Sequence, residues 1–337
     1  MPRLFLSLFA LVATLAAAQP TITIRMGTLA PKKSKWHELL LQMGEEWKTL
    51  SGGKVELVIY AGGEQGDEPT MVDKMRIKKL QAVAMSGAGL SDIEGGVNAL
   101  QVPMMIQSYP ELDYVRERMA PELEKRLAKK GFIVLNWGDT GWVHYFTKKP
   151  ITHPEELRKL KLCVLAGDNR AFEIYKANGF RPETLAATDV LSGLKTGLVE
   201  AFPAPPLFAL ANLWFGPAPN MIDVNWAPLI GATLISKDAW EKIPAATRKE
   251  MLKSAQKAGE GLRTEIRLLG DKAVDGMKGA GLRVVKVDGA TLAEWQKLAE
   301  SIYPTIRGNM VPADMFDQVR KLRDEYRVKH PAVPASK

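Results

Sequence analysis

Residues 138–150 read GDTGWVHYFTKKP and place Trp142, His144 and Tyr145 beside Asp139 and Thr140. A histidine near a carboxylate can move protons, and indole or phenol rings can wall a pocket for an organic molecule. The remaining candidates for chemistry are sparse. His37, His153 and His330 are scattered, and no HExxH, CxxC or paired-histidine spacing occurs. The glycine-rich SGAGLS (86–91) lacks both GxGxxG and the lysine–serine ending of a phosphate loop, and it reads as a flexible strand-to-loop turn. No GxSxG marks a nucleophile elbow. The single cysteine, Cys163, sits inside KLKLCVL with no histidine close in sequence, so it reads as a small buried hydrophobe. An enzyme has no specific pattern to rest on here, and neither a metal ion nor a cofactor is expected.

The elements that must position these residues are legible from periodicity. TITIRMGTL (21–29) alternates as a strand, and residues 34–53 carry Trp36, Leu39, Leu40, Met43 and Trp47 at helical spacing after a possible Ser34 cap. KVELVIYAGG (54–63), a helix over 68–81 and the buried strand AVAMSG (82–87) complete a β-α-β-α-β run. One or two helices over 110–131 lead to the strand FIVLNWG (132–138), and 138–150 reads as two strands or one bent strand. KLCVL (161–165), a helix over 169–179 and a helix over 187–199 form a second such run, followed by EAFPAPP (200–206). A strand near 229–235 precedes a helical stretch from Ala245 to about Gly279, far beyond the ~10–14-residue average. The strand LRVVKV (282–287) and two closing helices follow. Parallel sheets bind ligands beyond the carboxyl ends of their strands. Here those ends are Ala30–Ser34, Gly62–Glu68, Ser86–Ser91, Gly138–Gly141, Ala166–Arg170 and Pro203–Pro206, whose mixture of apolar and polar residues suits a pocket for a small organic molecule.

Composition narrows the class. Of 337 residues, 46% are hydrophobic and 25% charged, which describes a globular protein. The net charge of +8 is spread along the chain, and basic clusters such as KKSK (32–35) and RIKK (76–79) are short, so no nucleic-acid partner is expected. The first residues, MPRLFLSLFALVATLAAAQP, carry one arginine, an apolar run and then small residues, the pattern of a secretory signal over 1–18 cleaved near Ala18. No cysteine follows that run, so a lipid anchor is not expected, and a periplasmic protein is.

At the level of whole segments the chain resembles the periplasmic solute-binding proteins of TRAP transporters, the dicarboxylate-type (DctP) family. IRMGTLAPKKSKWHELL, SGGKVELVIYAGGEQGDE, VDKMRIKKLQAVAMS, EELRKLKLCV and ANGFRPETLAATDVLSGLKTGLVEAFPAPP carry the resemblance. It implies a type II-like two-lobed α/β fold, each lobe a mixed sheet flanked by helices, with hinge strands and a long helix spanning both. Lobe I would take 21–138 with about 226–255, and lobe II 139–225 with about 282–305. The long helix would be 245–279, a helical segment 306–328, and 329–337 a frayed tail. The implied activity is capture of a solute by lobe closure and its delivery to TRAP permease membrane subunits. A monomer is expected, with a dimer as the alternative.

The departures from the family pattern are specific. The family usually places an arginine in a KiRv motif that pairs with the substrate carboxylate; Cys163 stands there. A second arginine in a GfR motif is replaced by Val143. A carboxylate closed in a dry cleft without a partner costs several kcal/mol, so another cation must serve or the solute is not a small diacid. Arg170 in AGDNR is the first candidate, ahead of Lys35 and Arg76. Alternation sends Trp142, His144 and Phe146 to one face and Val143 and Tyr145 to the other. Trp137, Trp142, Trp214, Phe215 and Trp226 could furnish aromatic walls, so the expected solute is an organic acid with apolar or aromatic surface. Trp36, Gln65, Ser86, Asp139, His144 and Asn169 join the expected ligand contacts, with Pro203, Pro205 and Phe208 from the loop after a strand. Two rival readings remain, a secreted enzyme on a similar fold and a ligand-sensing subunit of a membrane receptor.

Overall fold

Alternation in the first described residues produces β1 (Ile22–Thr28), and the Ser34 side chain, accepting from His37 N at 3.3 Å, starts α1 (Lys35–Leu50). That helix buries Trp36, Leu40, Met43 and Trp47, the face its spacing predicts. β2 (Val55–Tyr60), α2 (Glu68–Arg76) and β3 (Ala82–Ser86) follow, with Asp67 capping α2. The computed structural model describes residues 21–331, so the expected signal peptide and residues 332–337 of the expected tail lie outside it.

The SGAGLS stretch is a helix, α3 (Gly87–Ile93), and not the flexible turn expected. Its glycines serve close approach. A Cβ on Gly89 would lie 2.7 Å from Glu68 Cβ, and one on Gly87 would run into the Gln101 amide at 2.0 Å. α4 (Tyr109–Lys129) is one helix, with Pro121 inside it, and leads into β4 (Phe132–Thr147). The next elements are α5 (Pro154–Arg158), β5 (Lys161–Leu165), α6 (Asn169–Ala177), β6 (Arg181–Leu185), α7 (Val190–Thr196), β7 (Ala201–Ala204) and α8 (Pro206–Ala211). β8 (Asn220–Ile222), β9 (Ala227–Ser236), α9 (Lys237–Glu241), α10 (Ala245–Gly279), β10 (Arg283–Val285), α11 (Gly289–Ile306) and α12 (Ala313–Lys329) complete the chain.

The strands form one mixed ten-stranded sheet in the order β2-β1-β3-β9-β4-β7-β5-β6, with β8 pairing β4 and β10. β1 runs parallel to β2 and β3, and β5 parallel to β6 and β7, as the two β-α-β-α-β runs require. β4 joins the halves: Phe132–Val143 pair antiparallel with β9, and His144–Thr147 pair antiparallel with β7. Gly138–Gly141 is therefore no loop but the bend of one strand. Gly141 has φ +106°, and the register with β9 shifts between Asp139 and Gly141.

The long helix α10 crosses the back of that strand, packing on α1 in one half and α8 in the other. Trp47 Nε1 donates to Met251 O at 3.1 Å, and Asn136 Nδ2 donates to Ala255 O at 2.9 Å. Gly259 sits where the two backbones are closest, since a Cβ there would lie 2.5 Å from Asn136 Cβ. No described helix is long and apolar enough to cross a membrane.

Candidate functional site

The site is built from strand ends. The residues after β1 (Leu29, Ala30), the start of α2 (Asp67, Glu68, Pro69), the β3–α3 junction (Ser86, Ala88, Gly89), the loop after β5 (Ala166, Gly167, Asp168) and the end of β7 (Pro203, Ala204, Pro205) surround a cavity of about 260 Å³. Its apolar lining comes from Trp36, Val143, Cys163, Phe202, Phe208 and Trp214. A second cavity of about 170 Å³ shares the wall formed by Ala88, Val143, Asp168, Ala171, Tyr175 and Leu229. Beyond that wall lie Ser91, Asn98, Gln101, Arg170 and Trp226. One cleft thus has two mainly apolar chambers, the larger edged by Asp67, Glu68 and Asp168 and the smaller carrying Ser91, Asn98, Gln101 and Arg170.

The polar groups differ in how far they are already engaged. Glu68 accepts from Ser86 N (2.7 Å), Ser86 Oγ (2.7 Å) and Gly89 N (2.9 Å). Burial nevertheless raises its carboxyl above the usual range, against those three hydrogen bonds. Asp67 Oδ1 caps α2 through Thr70 N (2.9 Å), and Asp168 Oδ1 caps α6 through Ala171 N (3.0 Å). Burial also raises Asp168, while the Arg170 charge lowers it and Asp92 raises it further. Two donors stand apart. Arg170 Nη1 and Trp36 Nε1 are buried with no hydrogen-bond partner, and both residues line the cleft. An unmade buried hydrogen bond costs roughly 1–3 kcal/mol, which a ligand acceptor would remove. The Cys163 thiol lines the apolar chamber, and burial alone pushes it up to about 12, so it stays a protonated, unreactive thiol.

Of the sequence-derived candidates, Trp36, Ser86, Cys163, Pro203, Pro205, Phe208 and Trp214 come together around the larger chamber. Arg170 and Trp226 line the smaller one. The others lie elsewhere. Gln65 is occupied by Lys74, whose Nζ donates to its backbone O at 2.8 Å and to Oε1 at 3.0 Å. Asn169 is exposed at the start of α6. Trp137 Nε1 donates to Glu124 Oε1 at 2.8 Å on the α4 side, and Phe215 packs in the core behind β7. Asp139 is consumed by ion pairs: it accepts from Arg116 Nη1 at 2.5 Å and from Arg267 Nε at 2.8 Å, and both arginines also bind Asp113.

Trp142 and His144 face a groove on the opposite side of β4 from the cleft. Alternation put them on one face together, and in the structure that face lines the groove rather than the cleft. Val143 is the residue that looks into both chambers. Lys35 pairs with Glu38 and Arg76 with Asp73, outside the cleft. Sequence reasoning missed Asn98, Gln101, Asp168 and Tyr175. Tyr175 is held by a 3.0 Å hydroxyl pair with Tyr145. The AGDNR loop was the available signal for Asp168, two residues before Arg170.

Among the described residues no group of three or more His, Cys, Asp or Glu could hold a metal ion. Comparison with known proteins covers most of the chain. A solute-binding protein from Roseobacter denitrificans is 22% identical over 83% of this chain and 86% of its own length. The C4-dicarboxylate-binding periplasmic protein of Rhodobacter capsulatus is 23% identical over 79% of this chain and 80% of its own. Among solved structures, a TRAP periplasmic solute-binding protein from Ralstonia eutropha H16 with bound (S)-2-acetolactate gives a TM-score of 0.83 at 18% identity, covering 90% of this chain and 99% of that one. A counterpart from Xanthobacter autotrophicus Py2 with bound β-D-galacturonate gives 0.82 at 17% identity, over 89% and 99%. The structural likeness establishes the two-lobed fold. The family model for bacterial extracellular solute-binding proteins matches residues 26–308, and the chain belongs to that family 7, DctP, whose members are TRAP-type solute receptors.

Proposed function

We propose that this receptor captures an organic acid with a largely apolar or aromatic body and hands it to TRAP permease subunits after export to the periplasm. The observation that carries this reading is Arg170 Nη1, buried on the cleft with no partner. The two positions where the resemblance expects arginines, Val143 and Cys163, line the same cleft with apolar side chains. A carboxylate in the smaller chamber would meet Arg170, with Asn98, Gln101 and Ser91 as neutral neighbours, while the rest of the solute fills the chamber walled by Trp36, Phe208 and Trp214. Charge-assisted pairs of guanidinium and carboxylate are the strong hydrogen bonds of such sites. The relatives bind acids: their names specify C4-dicarboxylate, galacturonate and acetolactate.

Isothermal titration of the purified protein against alkyl, aryl and sugar acids tests this. Arg170→Ala should weaken binding of the best acid at least tenfold. An unchanged dissociation constant would remove Arg170 from the site.

A further inference from the structure

Charge is distributed unevenly along the cleft. Its two chambers are lined by one cation, Arg170, and three carboxyl groups, Asp67, Glu68 and Asp168. The Arg170 charge is further shared with Asp92, on α3 across the cleft. Glu68 already accepts from three donors. Asp168 is less engaged: its Oδ1 caps α6, which leaves Oδ2 for another donor, and the residue stands on the wall common to both chambers, two positions before Arg170. An added anion would gain from Arg170 but face three acids. Like charges in a poorly screened cleft repel strongly.

We propose that the solute is amphoteric: its carboxylate meets Arg170, an ammonium group meets Asp168, and an apolar or aromatic side chain fills the larger chamber. The chemical class is an α-amino acid with a hydrophobic side chain. This inference rests on the preceding reading of Arg170 and adds the second charge. The α-carbon of an amino acid bears both charged groups itself, and Asp168 and Arg170 stand two residues apart at the start of one helix. The side chain then leaves toward Cys163, Phe202, Trp36 and Trp214, which bring carbon, a protonated thiol and two indole N–H groups, that of Trp36 buried without a partner. A second carboxylate placed there would find no cation on the lining and would lie on the side of Asp67 and Glu68, so diacids are disfavoured.

Matched probes decide it. L-phenylalanine, 3-phenylpropionate and phenethylamine share one ring and chain length but carry both charges, the acid alone or the amine alone. L-leucine and 4-methylpentanoate provide an aliphatic pair, and succinate and galacturonate the acids with other demands. In isothermal titration at least one amino acid should bind tenfold or more tighter than its deaminated partner. Asp168→Asn, which retains an N-capping side chain, should abolish that preference, and the simple acid, relieved of one facing carboxylate, should bind at least as tightly as to the parent chain. An acid that binds as well as its amino acid, through Arg170, overturns this inference and leaves the organic-acid reading standing. Binding of succinate or galacturonate with no response to either aryl or aliphatic probes overturns both. Asp168→Asn with an intact melting curve and an intact amino-acid preference also overturns the ammonium contact.

Discussion

His144 shows how a residue with suggestive chemistry becomes structural. It is buried, its Nδ1–H donates to Ile222 O at 3.3 Å, and it lines the groove behind β4. Burial lowers its pKa from the ordinary 6.5, against smaller opposing effects of that hydrogen bond and of Asp223. The unfolded chain therefore takes up this proton first as pH falls. The stability it supports is complete above 6.5 and is lost as pH drops from there toward the folded value. His153 works in the other sense, since Glu294 at 2.7 Å raises its pKa, but that pair is fully exposed and weak. Urea midpoints measured at pH 7.5 and pH 5 should fall together with pH in the parent chain, and the fall should be smaller in His144→Asn. Equal falls in both would show that His144 does not set the acid sensitivity. The alternation of side chains in β4 was legible, because period 2 is a property of any strand. The face that turns to the cleft was not, because it depends on which side α6 and α3 pack.

At the scale of elements, α10 was readable to its ends, Ala245 and Gly279, because a long uninterrupted helical stretch has few other solutions. The single bent β4 was left open between one strand and two. Its bend depends on a Gly141 φ of +106° and a register shift, and neither has a spacing signature. Five of the six strand-end loops read from sequence line the larger chamber; the sixth, Gly138–Gly141, failed because it lies within β4. The same strand explains a glycine in α10 that helix propensity alone would condemn. Gly259→Ala should gain about 1 kcal/mol of propensity, yet its Cβ would meet Asn136 Cβ at 2.5 Å and Trp137 O at 3.1 Å. Overpacking of that kind costs typically about 1–3 kcal/mol. Since neither backbone can yield without displacing the Asn136–Ala255 and Arg263–Trp137 hydrogen bonds, we expect net destabilisation of up to about 2 kcal/mol in chemical denaturation. Gly261→Ala, with open space around its Cβ, should instead stabilise. Equal effects at the two positions would show that α10 and β4 do not meet as described.

For the whole molecule, solute capture by closure of the two lobes would require a difference in solute affinity between open and closed arrangements, because a ligand shifts that equilibrium only by such a difference. The cleft is bounded on one side by α2 and α3 and on the other by the loop after β5, and the two sides approach closely at Gly167 and Pro69. Gly167, with φ +95°, packs so closely on Pro69 that a Cβ would lie 3.2 Å from Pro69 Cγ and 3.3 Å from Cδ. Gly167→Val places branched carbons where Pro69 stands and so should hold the halves apart. The expected result is at least tenfold weaker solute binding and loss of the ligand-induced decrease in radius of gyration by small-angle scattering. Positive φ on a valine also strains the loop by about 1–3 kcal/mol wherever the halves sit, so the single variant cannot separate strain from contact. The double variant Gly167→Val, Pro69→Ala separates them. It keeps the strain and removes the obstacle, and it should recover part of the lost affinity and the compaction. Identical behaviour of the single and double variants would mean that the Gly167–Pro69 contact does not limit closure.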